Sequence, residues 1–306
     1  MDWLSNKDSW PNTEHSDFFR AEDVRLHFQR MGKPGSPKLL LLHGSGATTH
    51  SFRDLLPLLA DHFDVLAPDL PGHGFSSAFS RRVPALDTVC GAMRELMVSE
   101  TFEPVCLAGH SAGAAVAARL ISRSDTFGNA PLVSINGAFF PFPGLAQYLF
   151  PVAARMLFLN PVATRLFAYG ASSRVRVEDL LSSTGSMLNA SGIDLYQRAL
   201  SSRRHIEGTL EMMSHWDLNT MEEELAALPG PVLQVIGMMD GTISPKAAER
   251  VGRILQAGEI VRFEEAGHLV HEERPEEVAA AIKSFFDAAG SHTEPSAPTD
   301  SDAASV

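Results

Sequence analysis

The chain has 306 residues, of which 44% are hydrophobic and 20% are charged, and its formal net charge is −12. This composition fits one large globular α/β domain, or a core domain that carries an insertion. The negative charge argues against general nucleic-acid binding, which needs a basic surface, and no run of about 18 uncharged apolar residues predicts a transmembrane segment.

The first segment, residues 1–15, is polar and carries Trp3 and Trp10-Pro11 as candidate anchors. It has neither the basic region nor the apolar stretch of a secretory signal. The only two cysteines, Cys90 and Cys106, are typical of a reducing compartment. We therefore expect a cytoplasmic protein with a short polar leader.

Strand and helix patterns alternate through the first half of the chain. Asp17 to Met31 alternates apolar with polar residues, which predicts a β-hairpin with one buried face. Lys38 to Leu42 is a continuous apolar run, as expected for a strand covered on both faces. The alternation predicts a mostly parallel, doubly wound sheet. The elements predicted next are a helix over 51–63, a strand over 65–67, a helix over 85–100, a strand over 105–108 followed by a helix, and a strand over 132–135.

The alternation then stops. Residues 139–218 contain no convincing strand and several prolines that interrupt helical stretches, which predicts a helical cap inserted over the sheet. Strand and helix patterns resume over 232–236, 245–256, 259–263 and 275–288. The last residues are rich in Ser, Thr, Pro, Ala and Asp, so we expect disorder there. The predicted division is a leader over 1–15, an α/β core over 16–138 and 219–289, a cap over 139–218 and a tail over 290–306.

A Gly-x-Ser-x-Gly sequence joins the strand over 105–108 to the next helix. Glycines stand two positions before and two positions after Ser111, where a side chain would obstruct a sharp turn. A strand-turn-helix of this kind exposes the serine hydroxyl above the sheet and is typical of a nucleophile. The bare pattern also occurs in ordinary turns, so the flanking strand and helix support the prediction.

A serine hydroxyl needs a base that takes its proton and a carboxylate that orients this base. Asp240 follows the strand over 232–236 and precedes a helix that starts with proline, so we predict it as the acid. His268 follows the next strand and is the predicted base. The earlier position for an acid, after the strand over 132–135, offers Asn136-Gly137 and no carboxylate.

The loop His43-Gly44-Ser45-Gly46 follows the strand over 38–42, which is the position of an oxyanion loop in this order of strands. We predict that the backbone N–H groups of Ser45 and Ala112 stabilise a developing negative charge, with Gly46 as an alternative to Ser45. A flexible glycine-rich loop is the structural alternative.

The remaining histidines are interpreted as structural. We expect His110 to pack and form hydrogen bonds with its side chain directed away from the serine hydroxyl, and His271 to cap or contact the last helix. Neither His-Glu-x-x-His nor Cys-x-x-Cys occurs, and the glycine-rich loop is neither a Walker loop nor a dinucleotide fingerprint. The sequence therefore predicts no metal and no cofactor.

With these features in place, the chain resembles the α/β-hydrolase family over about Asp17 to Ala288. The resemblance rests on His43 to Gly46, Pro68-Asp69-Leu70-Pro71-Gly72-His73-Gly74, Gly109 to Gly113, and the pair Asp240 and His268. It implies the α/β-hydrolase fold with a helical cap insertion and a Ser-His-Asp triad. Serine instead of aspartate at the elbow looks like an esterase or C–C hydrolase, not a haloalkane dehalogenase or epoxide hydrolase.

Within this family the chain looks like the accessory proteins of magnesium chelatase in bacteriochlorophyll synthesis. The segments that carry this resemblance are Trp10-Pro11-Asn12, Gly192 to Tyr196, Met212 to Leu218 and Gly267 to Glu273. The resemblance implies a role in the tetrapyrrole pathway, with magnesium chelatase subunits as partners. It does not say which bond, if any, is hydrolysed.

The predicted cap is the part of the sequence that bears on the substrate. Residues 139–217 hold seven arginines, no lysine and six acidic residues. Their many Phe and Met side chains suit a large, flat apolar ligand, and arginine can pair with its carboxylates, although the same residues are also needed to dock a cap on a core. Residues 145–167 are a candidate for weak contact with a membrane surface. The predicted substrate-binding residues are Phe139, Phe142, Met187, Met212 and Trp216.

Two functions remain open from the sequence. The first is a serine hydrolase that acts by acyl transfer on a small apolar or tetrapyrrole-like ester through Ser111, His268 and Asp240. The second is a non-catalytic accessory protein that holds a porphyrin or delivers it to a chelatase. The complete set of three side chains favours the first function, and the resemblance to a pathway protein favours the second.

Overall fold

The computed structural model of the protein describes residues 1–141, 173–255 and 258–291. Within these residues the strands of the sheet are β1 (Ser16–Arg20), β2 (Arg25–Met31), β3 (Lys38–Leu42), β4 (Asp64–Pro68), β5 (Cys106–His110), β6 (Leu132–Ile135), β7 (Val232–Gly237) and β8 (Gly258–Phe263). The α-helices are α1 (Leu55–Ala60), α2 (Leu86–Ser99), α3 (Ala112–Ser122), α4 (Arg174–Ser183), α5 (Ala190–Ser201), α6 (Arg203–Ser214), α7 (Met221–Ala226), α8 (Pro245–Ile254), α9 (Val270–Glu273) and α10 (Pro275–Ser291).

The strands form one sheet in the order β1-β2-β4-β3-β5-β6-β7-β8. β1 and β2 form the predicted antiparallel hairpin, β2 is antiparallel to β4, and the other neighbouring pairs are parallel. The chain passes from β3 to β4 on one side and to β5 on the other, so the direction of winding reverses at β3. The prediction of a mostly parallel, doubly wound sheet is confirmed. In such sheets ligands bind at the carboxyl ends of the strands, near the reversal.

The strand β3 shows why the sheet carries helices on both faces. Its four leucines are fully buried, and successive side chains of a strand point to opposite faces. Leu39 and Leu41 belong to a buried cluster with residues of α1 and α10, whereas Leu40 and Leu42 belong to a second cluster with residues of α2 and α3. Because burying one leucine side chain stabilises the fold by roughly 1.5–3 kcal/mol, both faces must be covered.

The helix predicted over 51–63 is shorter and interrupted. A 3₁₀ turn covers Thr49–Phe52, and α1 then begins at Leu55. Pro57 explains the interruption, because it has no N–H to donate to the carbonyl of Arg53 and its ring would clash with that carbonyl in a continuous helix. The Arg53 carbonyl accepts a hydrogen bond from the Asn12 side chain instead, at 3.2 Å.

The described part of the segment between β6 and β7 is helical, with α4, α5, α6 and the short α7 and no strand. It docks on the core through a small buried apolar cluster. This cluster joins Val177, Leu181 and Tyr196 of the cap with Ala47 and Leu269 of the core. Residues 142–172 of the predicted cap, including the predicted membrane-contact stretch, and residues 292–306 of the predicted tail lie outside the described residues.

The first fifteen residues pack against the core and the cap. Trp10 is 4% exposed and lies in a cluster with Phe75 and Leu195 of α5. Trp3 contacts Phe75 edge-on, with 5.0 Å between ring centroids. Both tryptophans therefore lie where anchors of the leader were predicted. No helix in the described ranges is long and apolar enough to cross a membrane.

A group of histidines is buried in the core and at its contact with the cap. The members that are at most 2% exposed are His27, His43, His50, His73, His110, His205 and His271. Burial lowers the pKa of His205 to about 4 and that of His271 to about 3, and it also lowers the pKa values of His43, His50, His73 and His110. The six rings with a lowered pKa are therefore neutral in the folded protein near pH 7.

His271 is buried among other rings. Its imidazole, on α9, lies between the rings of His110, at 4.4 Å, and Phe52, at 5.4 Å. Neither of its ring nitrogens has a hydrogen-bond partner among the described residues. The expected packing of His271 against the last helix stays a prediction.

Replacing His271 tests the histidine contribution to stability. An unfolded chain protonates histidine near pH 6.5, whereas folded His271 stays neutral until about pH 3, so its contribution to stability falls as the pH falls below 6.5. We expect the free energy of unfolding of His271→Leu to fall less steeply with decreasing pH than that of the wild type, by about 1.4 kcal/mol per pH unit between pH 6 and 4. The substitution removes no hydrogen bond of the described residues. Urea unfolding at several pH values measures it. His15→Leu, at a partly exposed position, is the control, and parallel pH curves for wild type and His271→Leu would contradict the prediction.

Candidate active site

The turn between β5 and α3 has the strained geometry of a nucleophile elbow. Ser111 lies at φ +50° and ψ −117°, a conformation that L-residues rarely adopt. A Cβ on Gly109 would lie 2.3 Å from the carbonyl of Gly113, and a Cβ on Gly113 would lie 2.2 Å from the oxygen of Leu42. The turn therefore requires glycine at both positions, as the sequence predicts, and Ser111 is half-buried at the carboxyl edge of β5.

The predicted acid and base are in direct contact. Asp240 follows β7, His268 follows β8, and His268 Nδ1 lies 2.7 Å from Asp240 Oδ2. Both residues are buried, at 7% and 6% exposure. The second carboxyl oxygen of Asp240 accepts hydrogen bonds from the N–H groups of Thr242 (2.7 Å) and Ile243 (2.8 Å). An ionised carboxylate only accepts, so Nδ1 of His268 carries the proton in this pair and Nε2 is left as the basic nitrogen.

Ser111 is adjacent to this pair but is not hydrogen-bonded to it in the described structure. The rings of His110 and His268 lie 4.7 Å apart, which brings the elbow next to the base. Among the described residues the Ser111 hydroxyl has no hydrogen-bond partner. Contacts of this kind are often long in ligand-free enzymes and tighten when substrate binds.

The loop after β3 lies against the elbow. A Cβ on Gly44 would lie 3.0 Å from Ser111 Cβ and 2.8 Å from His110 Nδ1. His43 supports the loop: its Nε2 accepts the N–H of Leu70 at 2.9 Å, so its Nδ1 donates to the Gly44 carbonyl at 2.8 Å. In the described part of the chain, the backbone N–H groups of Ser45 and Ala112 donate to no protein acceptor. These two donors are available to a ligand, as expected for an oxyanion hole.

Asp69 is the centre of the Pro68 to Gly74 motif and has a structural role. Its carboxylate accepts from the backbone N–H groups of Thr49 (2.7 Å) and Phe75 (2.9 Å) and pairs with His27 Nδ1 at 2.8 Å. Burial alone would raise the pKa of Asp69, but the His27 ring and these donors hold it well below its usual value. Asp69 therefore stays ionised and ties the end of β4 to the segment that follows the oxyanion loop.

Asn136 is a site residue that the sequence interpretation missed. At the end of β6 it adopts φ +43°, and its Oδ1 accepts the N–H of Gly237 at 2.9 Å. Its Nδ2 donates to the carbonyls of Gly267 (3.0 Å) and His268 (2.8 Å). The search for a carboxylate passed over it, although Asn-Gly after a strand is a signal for a left-handed turn.

His110 has the predicted packing and hydrogen-bonding role. Its Nε2 lies 2.9 Å from the His268 carbonyl, the same oxygen that accepts from Asn136. The backbone of the predicted base is therefore held by two side-chain donors from the ends of β5 and β6.

The described members of the predicted substrate-binding set lie in different surroundings. Phe139 and Met212 are each 1% exposed and pack in the core cluster on the α2 and α3 face, and Trp216 packs against the same cluster. Met187 is 84% exposed, and its role as a substrate-binding residue stays a prediction. Phe142 lies outside the described residues. Apolar composition did not reveal which of these side chains face the core and which face solvent.

Three arginines of the described cap pair with protein groups. Arg174 pairs with Glu178 and Asp194, and Arg203 pairs with Glu207. Arg198 donates to the carbonyl and hydroxyl oxygens of Ser9. These arginines stabilise the surface of the cap and its contact with the N-terminal segment.

The comparisons with known proteins agree with this architecture. The alpha/beta hydrolase family model matches residues 39–281. The chain is 32% identical to the magnesium-chelatase 30 kDa subunit of Rhodobacter capsulatus over 86% of this chain and 92% of that protein. It is 24% identical to the uncharacterized hydrolase YugF of Bacillus subtilis over 88% of this chain and 96% of that one. An alpha/beta hydrolase fold protein from Burkholderia ambifaria superposes with a TM-score of 0.73 at 20% identity, covering 88% of this chain and 97% of that chain, and this likeness concerns the fold alone.

Asn136→Asp tests the amide bridge. The substitution keeps an acceptor for the Gly237 N–H but replaces the donor with an oxygen that faces two carbonyl oxygens. We expect a loss of about 1–3 kcal/mol in the free energy of unfolding. Urea denaturation measures this loss, with Asn219→Asp at an exposed position as the matched control. Equal stabilities of the two variants would show that the bridge contributes nothing.

Proposed function

Because the chain belongs to the alpha/beta hydrolase family, we propose that it is a serine hydrolase with Ser111 as nucleophile, His268 as base and Asp240 as acid. The buried hydrogen bond between His268 and Asp240, beside the strained elbow, carries the proposal. This bond fixes the tautomer in which Nε2 is the basic nitrogen, which is the state that a general base requires. Ser45 and Ala112 add two free N–H donors at the place where an oxyanion would form.

The mechanism follows from these positions. Ser111 Oγ attacks the carbonyl carbon of an ester while His268 Nε2 takes the hydroxyl proton, and Asp240 stabilises the resulting imidazolium. The N–H groups of Ser45 and Ala112 hold the negative oxygen of the tetrahedral intermediate. His268 then gives its proton to the leaving alkoxide. A water molecule then attacks the acyl carbon while His268 Nε2 takes one of its protons. The second tetrahedral intermediate breaks down as Ser111 Oγ leaves and regains a proton from His268, and the carboxylic acid is released.

The substrate class is proposed from the cap and from the chelatase relative. The cap docks on the core through apolar contacts directly beside the oxyanion loop and the His268 loop, through Ala47 and Leu269. These apolar contacts lie close to the proposed oxyanion loop and the proposed base, which supports an apolar substrate. We propose an apolar ester, and the magnesium-chelatase relative suggests one that belongs to tetrapyrrole synthesis.

A second candidate function is favoured by the same relative. A protein that is 32% identical over most of its length is named as a magnesium-chelatase subunit and not as a hydrolase. Under this alternative the chain binds a porphyrin and contacts chelatase subunits, and the hydrolase scaffold serves as a holder. Ser111 would then be dispensable.

Active-site labelling tests the hydrolase proposal. A fluorophosphonate probe should label the wild type at Ser111, and Ser111→Ala should abolish labelling. We expect Asp240→Asn to slow labelling by about 10⁴-fold, because it favours the wrong imidazole tautomer. Ser45→Pro, which removes the N–H donor, should slow it by about 10²–10³-fold, whereas Ser45→Ala keeps the donor and should react like the wild type. Unchanged labelling of Ser111→Ala, or none of the wild type, would reject the proposal.

Porphyrin binding separates the second candidate function from the first. Protoporphyrin fluorescence titration and co-purification with magnesium chelatase subunits are compared for the wild type and Ser111→Ala. The accessory function predicts equal binding for both proteins and no turnover of an ester panel. The hydrolase proposal predicts turnover that depends on Ser111, and an absence of both porphyrin binding and chelatase co-purification would reject the accessory function.

A further inference from the structure

One loop of the cap contacts both the predicted acid and the predicted base. This loop, residues 184–189 between α4 and α5, is called the cap loop. The carbonyl oxygen of Thr184 accepts the N–H of Gly241 at 3.0 Å and the N–H of His268 at 3.1 Å. Gly241 directly follows Asp240, so a single backbone oxygen joins the acid loop to the base loop.

The cap loop is interlocked with these two loops. Gly185 has φ +79°, and a Cβ there would lie 1.8 Å from the Met239 carbonyl oxygen. A Cβ on Gly267 would lie 2.3 Å from the carbonyl carbon of Gly185. The hydroxyl of Ser186 accepts the N–H of Leu269 at 2.8 Å. The backbones meet without space for side chains, so a displacement of the cap loop must displace its neighbours.

A second contact joins the cap to the oxyanion loop. His205 of α6 is fully buried, and its Nδ1 accepts the N–H of Gly74 at 3.1 Å. This bond fixes the tautomer, so Nε2 carries the proton and donates to the Gly46 carbonyl at 3.1 Å. Gly46 directly follows Ser45 and has φ +78°, a conformation that the His205 contact helps to hold.

We infer that the cap positions the hydrolytic machinery itself, with the Thr184 carbonyl aligning the Asp240 and His268 loops and the His205 imidazole aligning the oxyanion loop. The inference rests on the proposed function of these residues. Neither Thr184 nor His205 touches Ser111, so both are positioning residues. If the cap moved away from the core, the Asp240 and His268 loops and the oxyanion loop would lose these hydrogen bonds together. The cap is then required for the alignment of the catalytic groups as well as for covering them.

Gly185→Ala tests the first contact. The added methyl group collides with the Met239 carbonyl and must shift the Thr184 peptide. We expect amide hydrogen exchange at Gly241 and His268 to become at least tenfold faster, and the low-field NMR signal of the His268 Nδ1 proton to shift or broaden. Fluorophosphonate labelling of Ser111 should slow at least tenfold. Gly35→Ala is the matched control, because Gly35 also has positive φ (+87°) but no atom within 4 Å of the added Cβ.

His205→Leu tests the second contact and does not depend on Gly185→Ala folding. It removes the donor to Gly46, so labelling of Ser111 should slow at least tenfold while the His268 Nδ1 signal stays in place. His205→Gln keeps an N–H donor and should recover part of the rate. Loss of the His268 signal in His205→Leu would mean that the cap has only a general structural role and would overturn the inference.

The exchange measurements keep this inference separate from the proposed function. Wild-type protein that resists labelling would reject the hydrolase proposal, yet faster exchange at Gly241 and His268 in Gly185→Ala would still establish the alignment of the loops. Exchange that is unchanged from the wild type in folded Gly185→Ala would overturn the alignment even if Ser111 is reactive. If Gly185→Ala does not fold, Ser186→Ala replaces it, with faster exchange expected at Leu269 and no change overturning the interlock.

Discussion

The hydrogen bond between Asp240 and His268 is the interaction on which the candidate site depends. It forms because β7 and β8 are parallel neighbours in register from Val232 with Gly258 to Gly237 with Phe263, so the loops that follow them leave the sheet at the same edge. The neighbouring backbone groups also determine which carboxyl oxygen of Asp240 faces His268. With one carboxyl oxygen held by the N–H groups of Thr242 and Ile243, only the other can face the imidazole.

The hydrogen bonds around this pair explain why the acid lies at position 240 and not at position 136. Asn136 fills the end of β6 with an amide because the position must both accept from Gly237 and donate to the carbonyls of Gly267 and His268. A carboxylate there has no donor for those two carbonyls. The arrangement of hydrogen bonds therefore excludes an ionised acid at position 136 and leaves position 240 to supply it. The Thr184 carbonyl completes the set by accepting the N–H groups of Gly241 and His268.

The sequence predicts those parts of the molecule that periodicity or side-chain type encodes. Continuous apolar runs give β3 and β6 with correct bounds, and the Gly-x-Ser-x-Gly spacing gives the turn at Ser111. The bridging roles of Thr184 and His205 left no signal, because one acts through a backbone oxygen and the other depends on distant partners. Hydrophobicity indicates burial only on average, and Met187 is 84% exposed although it is apolar. The helix predicted over 51–63 is interrupted at residues 53–54, because Pro57, within α1, has no N–H for the Arg53 carbonyl.

Two features of the site that cost stability bear on the choice between a serine hydrolase and a porphyrin-binding accessory protein. Ser111 is held at positive φ, a conformation that costs about 1–3 kcal/mol for a residue other than glycine. The N–H groups of Ser45 and Ala112 point to no described acceptor, and donors left unsatisfied in a fold also reduce its stability. The proposed hydrolase uses both features, whereas no contact of the described residues connects either feature with binding a porphyrin. A strained serine beside an oriented imidazole suits the covalent step of the proposed hydrolase, so we take this geometry as support for that proposal over the accessory function.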